Sequence, residues 1–376
     1  MSIKPRIYSR PVGPQLRLRR WTAASAIAAA VAAVLGAQSA QAVDAEKSAT
    51  GNAGGIEEIV VTAQRREESS QKAPIPISVL ASQDLVDAGV SSAEDMTRLV
   101  PALSLYQGGQ GSIQASIRGV GNLSGNTYAE QAIAFSFDGI YIARTGNVAG
   151  NFFDLDRVEV LKGPQGTLYG RNTNAGAVNI VPKRPKLGEF GGDAQVTIGN
   201  YGTLNGEAAV NLPVGAISAL RLAGQVVKHD GYLSDGYNDQ DETDARATWL
   251  LQPNSALSLM VVGTYTDRAG KGSAGVQIAG GDTFDGPSSP AQQAIWSAAG
   301  FNPVQPDGYI RGHIAGVHAQ LDWTTSAGTL TFLPGYLDSQ THARHYAAGF
   351  PVTFDEPATS KSAELRFASP TEGRFN

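Results

Sequence analysis

The sequence predicts a compact α+β domain over residues 70–184, followed over residues 185–376 by an antiparallel transmembrane β-barrel that this chain leaves incomplete. Three observations carry this reading. From Glu189 onward, apolar and polar residues alternate with period two in segments of about eight to eleven residues, as strands do with one face in lipid and one in a lumen. Short links (212–217, 253–256, 324–328) alternate with long ones (228–244, 268–308, 338–359), the pattern of tight turns on one side of a membrane and large loops on the other. Beyond Ala42 no apolar run is long enough to cross a bilayer as a helix. A closed barrel is the other way to satisfy backbone hydrogen bonds in lipid.

The first residues are an export signal. Lys4, Arg6, Arg10, Arg17, Arg19 and Arg20 precede an Ala/Val/Leu-rich run over residues 22–35, which ends at Ala40-Gln41-Ala42. A basic start, a short apolar stretch and a small-x-small exit make residues 1–42 a secretory signal peptide. The whole chain carries 29 basic and 34 acidic residues, and the leader holds six of the basic ones and no acid. The exported part is therefore clearly acidic, which argues against a nucleic-acid partner. The chain has no cysteine, which excludes structural disulfides, thiolate metal sites and cysteine nucleophiles.

Residues 43–69 read as a flexible segment, rich in Gly and Ala at its start. Within it Glu58, Ile59, Val60, Val61, Thr62 and Ala63 form a β-prone run with no local partner. Such a run is suited to adding itself to the sheet edge of another protein.

Residues 70–184 show mixed local signals. Residues 74–80 read as a strand. Ser82 is placed to cap a helix that Gly89 stops, and Ser91 and Glu94 stand at capping-box spacing before a second helix ended by Pro101. Ile113, Ala115 and Ile117 alternate with polar neighbours, as do Ile133, Phe135 and Phe137 up to the Asp138-Gly139 turn. Residues 157–183, RVEVLKGPQGTLYGRNTNAGAVNIVPK, place two apolar strands around a connection rich in Gly and polar residues.

That last stretch resembles the end of the plug domain in TonB-dependent outer-membrane receptors. "QKAPIPISVLASQDLVDAG", "IRGVGN" and "FDGIYIARTG" resemble the same domain, so the likeness extends from residue 57 to about 184. Several expectations follow from the resemblance. The fold is an α+β plug domain followed by an incomplete antiparallel transmembrane β-barrel, about eight of about 22 strands. Glu58, Ile59, Val60, Val61, Thr62 and Ala63 look like a TonB box, the segment that pairs with TonB. Arg157, Glu159 and Arg171 are expected to seat the plug against the barrel wall, with Lys162 a further charge beside them. The location is the outer membrane of a Gram-negative bacterium, with its lipid around the barrel. The role is energised uptake of a scarce substrate, driven through TonB by the inner-membrane ExbB–ExbD motor. The family's commonest substrate is a ferric siderophore; haem, cobalamin, saccharides and aromatic compounds are its alternatives. No cofactor is implied.

The alternating strands are then assigned one by one. Val196 and Ile198 oppose Gln195 and Thr197; Leu220 and Leu222 oppose Arg221; Ala245, Ala247 and Trp249 oppose Arg246 and Thr248. Val317, Leu321 and Trp323 oppose His318, Gln320 and Asp322, and Leu365 and Phe367 oppose Glu364 and Arg366. Eight strands cannot enclose a domain the size of residues 70–184. The count predicts the N-terminal part of a longer barrel, or a truncated product.

Other chemistry is thin. Gly119-x-Gly121 and Gly163-x-x-Gly166 lack dinucleotide spacing, and Gly270-Lys271 is followed by Gly272 rather than by Ser or Thr, so no P-loop is present. Tyr106, Tyr128 and Tyr141 are candidate substrate contacts on the plug. His342 and His345 are candidates for a metal chelate in an expected loop. The acidic residues between 230 and 244 are Ca²⁺ ligands, contacts to a cationic ligand, or a solvated loop. Two other classes remain open: a signal-transducing receptor, for which residues 43–57 are too short to hold the extra domain, and a secreted β-sandwich binding protein or enzyme.

Overall fold

A computed structural model describes residues 60–61, 68–69, 75–107, 112–122, 130–273, 285–302, 304–347 and 350–370. The leader at 1–42, most of the segment at 43–69 and Tyr128 lie outside the described residues. So do Glu58, Ile59, Thr62 and Ala63. At Val60 and Val61 only the backbone is described, as a strand, β1 (Val60–Val61), paired antiparallel with β2 (Glu68–Ser69).

The first domain opens with β3 (Ile77–Ala81) and the helix α1 (Ser82–Asp87). The helix starts one residue earlier than expected: Ala81 is its cap, and its N–H donates to Asp84 Oδ2 at 3.0 Å. The second expected helix is only a 3₁₀ turn, Glu94–Arg98. Asp95 rather than Glu94 accepts the Ser91 and Ser92 N–H groups, each at 3.0 Å. Then come β4 (Leu103–Gln107), β5 (Ile113–Ile117) and β6 (Val120–Asn122), which form a small antiparallel sheet.

The main sheet adds β7 (Ile133–Phe137), β8 (Ile140–Tyr141), β9 (Leu155–Lys162) and β10 (Gly176–Pro182), with a single helical turn, α2 (Gly166–Tyr169), between the last two. Its order is β3-β9-β10-β7-β8, and β10 runs parallel to β7. The two strands of the 157–183 stretch are thus adjacent and central, β10 lying between β9 and β7. Val158, Val160, Val178 and Ile180 are fully buried in it.

The second layer is one antiparallel sheet of eight strands in sequence order. They are β11 (Gly191–Ile198), β12 (Leu204–Pro213), β13 (Ser218–His229), β14 (Gln240–Asn254), β15 (Leu257–Gly270), β16 (Tyr309–Thr325), β17 (Gly328–Ala347) and β18 (Phe350–Ala368). The predicted dyad is obeyed. Val196, Ile198, Trp249, Val317, Trp323, Leu365 and Phe367 are exposed on the outer face, while Arg221, Arg246, Thr248 and His318 are buried on the inner one. β15 departs from the dyad. Its Met260 and Val262 are buried with the core of the first domain. The inner face of this apolar run is thus buried against the first domain.

Two expectations about connections are corrected. The "loop" at 338–359 is an extended hairpin, in which His342 pairs with Asp355 and Ala347 with Phe350. The acidic stretch at 230–244 is only partly a loop, since Asp241, Glu242 and Asp244 belong to β14. Pro334 lies inside β17 without ending it. The ladder to β16 skips from Gly335 to Phe332, because proline has no N–H to donate. A helix, α3 (Pro290–Ala298), sits in the long β15–β16 connection, where Ser289 caps it by accepting the Gln292 N–H at 3.3 Å.

Candidate functional site: the seam between plug and barrel wall

The eight strands curve around the first domain, and the informative chemistry lies where the two meet. The loop before β9 presents Asp154, a buried residue in the left-handed region (φ 49). Arg221 of β13 reaches it from the wall. Its Nε donates to Asp154 Oδ2 at 2.7 Å and its Nη2 to Oδ1 at 2.5 Å. Both groups are buried, and the planar fork matches the carboxylate. The Asp154 N–H donates to Glu207 of β12 at 2.7 Å. Arg246 of β14 lies over the Phe153 ring at 4.2 Å and donates to the Phe153 carbonyl at 3.1 Å.

Close packing continues nearby. Gly150 sits at φ +74, and a Cβ there would fall 1.8 Å from Thr266 Oγ1 and 2.5 Å from Asp244 Oδ1. At the long-loop end of the seam, Arg268 and Glu242 of the wall lie beside Glu94 of the plug. Burial raises the Glu94 carboxyl above its ordinary value.

The side facing β16–β18 is built differently. Asp138, in the β7–β8 turn, meets His318 Nε2 of β16 at 3.3 Å. Arg184 approaches Asp138 at 3.5 Å and Gln320 at 3.3 Å. Burial alone would raise the Asp138 carboxyl. The hydrogen bond from His318 and the charges of Arg184, His318 and Arg246 outweigh it and hold the group below its ordinary value. Farther toward the long loops, Asn147 donates to Ser339 at 3.0 Å and Arg144 pairs with Glu356 at 3.4 Å.

The residues expected to seat the plug are placed as follows. Glu159 is fully buried on β9, paired with Arg157 at 2.8 Å, and it accepts from Asn179 at 3.2 Å. Asn179 in turn accepts from Ser136 at 3.0 Å, so a polar line crosses β9, β10 and β7. Arg157 also pairs with Asp156 and lines a cavity of about 1100 Å³ that reaches the wall. Arg171 is exposed and pairs with Glu130 of the plug at 3.3 Å. Lys162, on β9, is half-buried. Sequence reasoning missed Asp138 and Asp154, which sit in turns. The available signal is on the wall: alternation turns Arg221 and Arg246 to the lumen, and an arginine there needs an acid opposite.

The candidate substrate contacts are scattered. Tyr106 on β4 is exposed and donates to Gln114. Tyr141 on β8 receives a hydrogen bond from Asn172 at 2.9 Å and lines a second cavity of about 360 Å³ against β16–β18. His342 and His345 do not form a pair. An odd spacing on a strand sends them to opposite faces. His342 contacts Asp355 at 3.2 Å, and His345 stacks on Phe354 with ring centres 5.2 Å apart. Among the described residues no group of three or more His, Asp or Glu could hold a metal ion. Asp235 and Asp239 instead tie loops together, bonding Ser288 at 2.9 Å and the Lys271 N–H at 2.7 Å.

Comparison with known proteins agrees with this architecture. Residues 69–177 match the model of the TonB-dependent receptor plug domain. The pesticin receptor of Yersinia pestis is 33% identical over 129 residues, which are 34% of this chain and 19% of that receptor. The catecholate siderophore receptor Fiu of Escherichia coli K12 is 30% identical over 146 residues, 39% of this chain and 18% of that protein. The solved ferric yersiniabactin uptake receptor FyuA from Yersinia pestis superposes with a TM-score of 0.71 at 19% identity, covering 80% of this chain and 46% of that one. The chain thus spans less than half the length of each of these three proteins.

Proposed function

We propose that this chain, which belongs to the TonB-dependent receptors of the Gram-negative outer membrane by its plug domain and the barrel strands behind it, serves energised uptake of a ferric siderophore. The observation that carries the reading is the seam itself. A separately folded domain is held inside a barrel wall by a limited set of side-chain contacts, which suits a gate rather than a fixed core. The names of the similar receptors, for pesticin, catecholate siderophores and ferric yersiniabactin, support iron chelates as the substrate class. Its relatives are transport receptors, which favours transport over an enzymatic role.

In this reading residues 1–42 direct export and the substrate binds the long-loop end of the barrel and plug. TonB then pairs by strand addition with Glu58, Ile59, Val60, Val61, Thr62 and Ala63. The Val60–Val61 backbone already pairs with Glu68–Ser69 over two residues only, a ladder short enough for a longer partner to displace. Force from the ExbB–ExbD motor, transmitted through TonB, moves the plug. No bond in the substrate is made or broken.

The test is uptake of radio-iron, carried on a catecholate siderophore or on yersiniabactin, by cells expressing the receptor with Val60→Pro and Val61→Pro. Proline removes the N–H groups that strand addition needs. Uptake should fall to the level of a strain lacking TonB while surface binding persists. Uptake at the wild-type level would sink the coupling role.

A further inference from the structure

Three buried charged side chains follow one another along the inner face of β14. Glu242, Asp244 and Arg246 are exposed by only 7%, 1% and 4%, and their two-residue spacing points all three at the plug. Register fixes what flanks them. Glu242 lies between Val227 of β13 and Arg268 of β15, Asp244 between Gln225 and Thr266, and Arg246 between Ala223 and Thr264. The plug covers them with Glu94 beside Glu242 and Arg268, with Gly150 against Asp244 and Thr266, and with Phe153 and Asp154 at Arg246. Side chains this enclosed already have their neighbours, whatever further wall surrounds the plug. The other charges around the cluster are occupied. Asp154 is held by Arg221, Asp138 by His318 and Arg184, and Glu356 by Arg144, while Glu207 accepts the Asp154 N–H. That leaves three carboxyls, Glu94, Glu242 and Asp244, facing two guanidiniums, Arg246 and Arg268.

The imbalance falls on Asp244. Among the described residues no N–H or O–H group meets either of its oxygens in hydrogen-bond geometry, and Arg246 Nε and Nη2 make no bond either. An ionised Asp244 would close on those N–H groups, since charge-assisted hydrogen bonds are the strong ones. A buried carboxylate left unpaired is too costly to keep charged. What meets Asp244 instead is the carboxyl of Glu242, and two touching carboxyls cannot both ionise. Among the described residues the acids are not spaced to hold a metal ion. We propose that Glu242 and Asp244 share one proton while the plug is docked and give it up to water when the plug withdraws, so that docking takes up a proton. This goes beyond the transport reading and does not depend on what the receptor carries. Once the plug has withdrawn, both carboxyls are hydrated and ionise near their ordinary values, about 4, so that state holds one proton fewer. Alkaline conditions therefore favour withdrawal, by about tenfold per pH unit until the docked pair itself ionises, and acid holds the plug in place.

The test exposes the full receptor to urea between about pH 5 and about pH 9 and reads withdrawal of the plug by protease cleavage within residues 75–184. In wild type the withdrawal constant should rise about tenfold per pH unit over part of this range. In Asp244→Asn, which needs no proton, that part of the slope should vanish, and Glu242→Gln should behave alike. Equal slopes in wild type and both variants, or easier withdrawal toward acid within this range, would overturn the proposal. Two further measurements use wild type alone and stand even where a variant does not fold. Withdrawal in weakly buffered urea at about pH 6 should release about one proton per receptor, and release of none would sink the idea. The infrared spectrum of the docked receptor should contain the C=O stretch of a protonated carboxyl, and its absence would count equally against it. Withdrawal that responds to sodium concentration and not to pH would place a monovalent cation on the pair in place of the proton.

Discussion

Arg221 of the barrel wall holds Asp154 of the plug through two hydrogen bonds, 2.7 and 2.5 Å, with both side chains buried. This fork joins the two layers at a loop whose left-handed backbone aims the carboxylate outward. Replacing Arg221 by Met leaves the acid buried and unpaired. Removing one partner of such a pair typically costs about 3–5 kcal/mol. Arg221→Met should therefore lower the urea midpoint for release of the plug, read by protease cleavage within residues 75–184. Asp154→Asn combined with Arg221→Met should recover much of the loss. Arg221→Lys should not, since an ammonium cannot replace the fork.

Gly150 has no room for a side chain. Its positive φ disfavours other residues, and an added Cβ would meet Thr266 and Asp244. Gly150→Ala should loosen the plug by roughly 1–3 kcal/mol, the usual cost of overpacking, in the same protease assay. Gly163→Ala is the control. It has positive φ but open space around it, so it should show the backbone strain alone and a smaller effect.

Asp138 sets an acid limit on docking. Its carboxyl lies below the ordinary value of 3.8 in the folded protein. A depressed acid stabilises the fold above the unfolded pKa, and that contribution is lost as pH falls through the folded value. The stability difference between wild type and Asp138→Asn should shrink as the pH falls below about 4. Urea midpoints measured on both proteins across that range check the sign. A difference that grew as the pH fell below about 4 would contradict the depressed Asp138 carboxyl.

Tyr237 fastens the long loops. It is buried between β13 and β14, its hydroxyl accepts the Gly308 N–H at 2.9 Å and it donates to the Gln305 carbonyl at 3.2 Å. Burial, opposed by the Gly308 hydrogen bond and aided by Asp235, Tyr346 and Asp307, pushes its phenol up to about 12. Alkaline titration should find one tyrosine fewer ionising late in Tyr237→Phe than in wild type. The substitution leaves both backbone groups without this partner, a local cost of about 1–3 kcal/mol. Faster cleavage between residues 285 and 308 is the expected readout.

The division between what was legible and what was not follows from range. The alternation along β11–β18 is a local property of a pleated strand, so residue order alone assigned Leu222 to lipid and Arg221 to the lumen. It also placed the β9 and β10 strands of the plug, whose Val and Ile residues are separated by a connection rich in turn residues. Residue order did not show that residues 338–359 form a long hairpin, because polar alternation in exposed strands reads like a loop. Nor did it pair the charges. Asp154 and Arg221 are 67 residues apart and Asp138 and His318 are 180 apart, and nothing local to either member specifies the other. The resemblance points Arg157 and Glu159 toward the wall, and in the structure they pair with each other. Which turn of the plug meets which strand of the wall depends on how the sheet curves around the domain, and only the tertiary structure decided it.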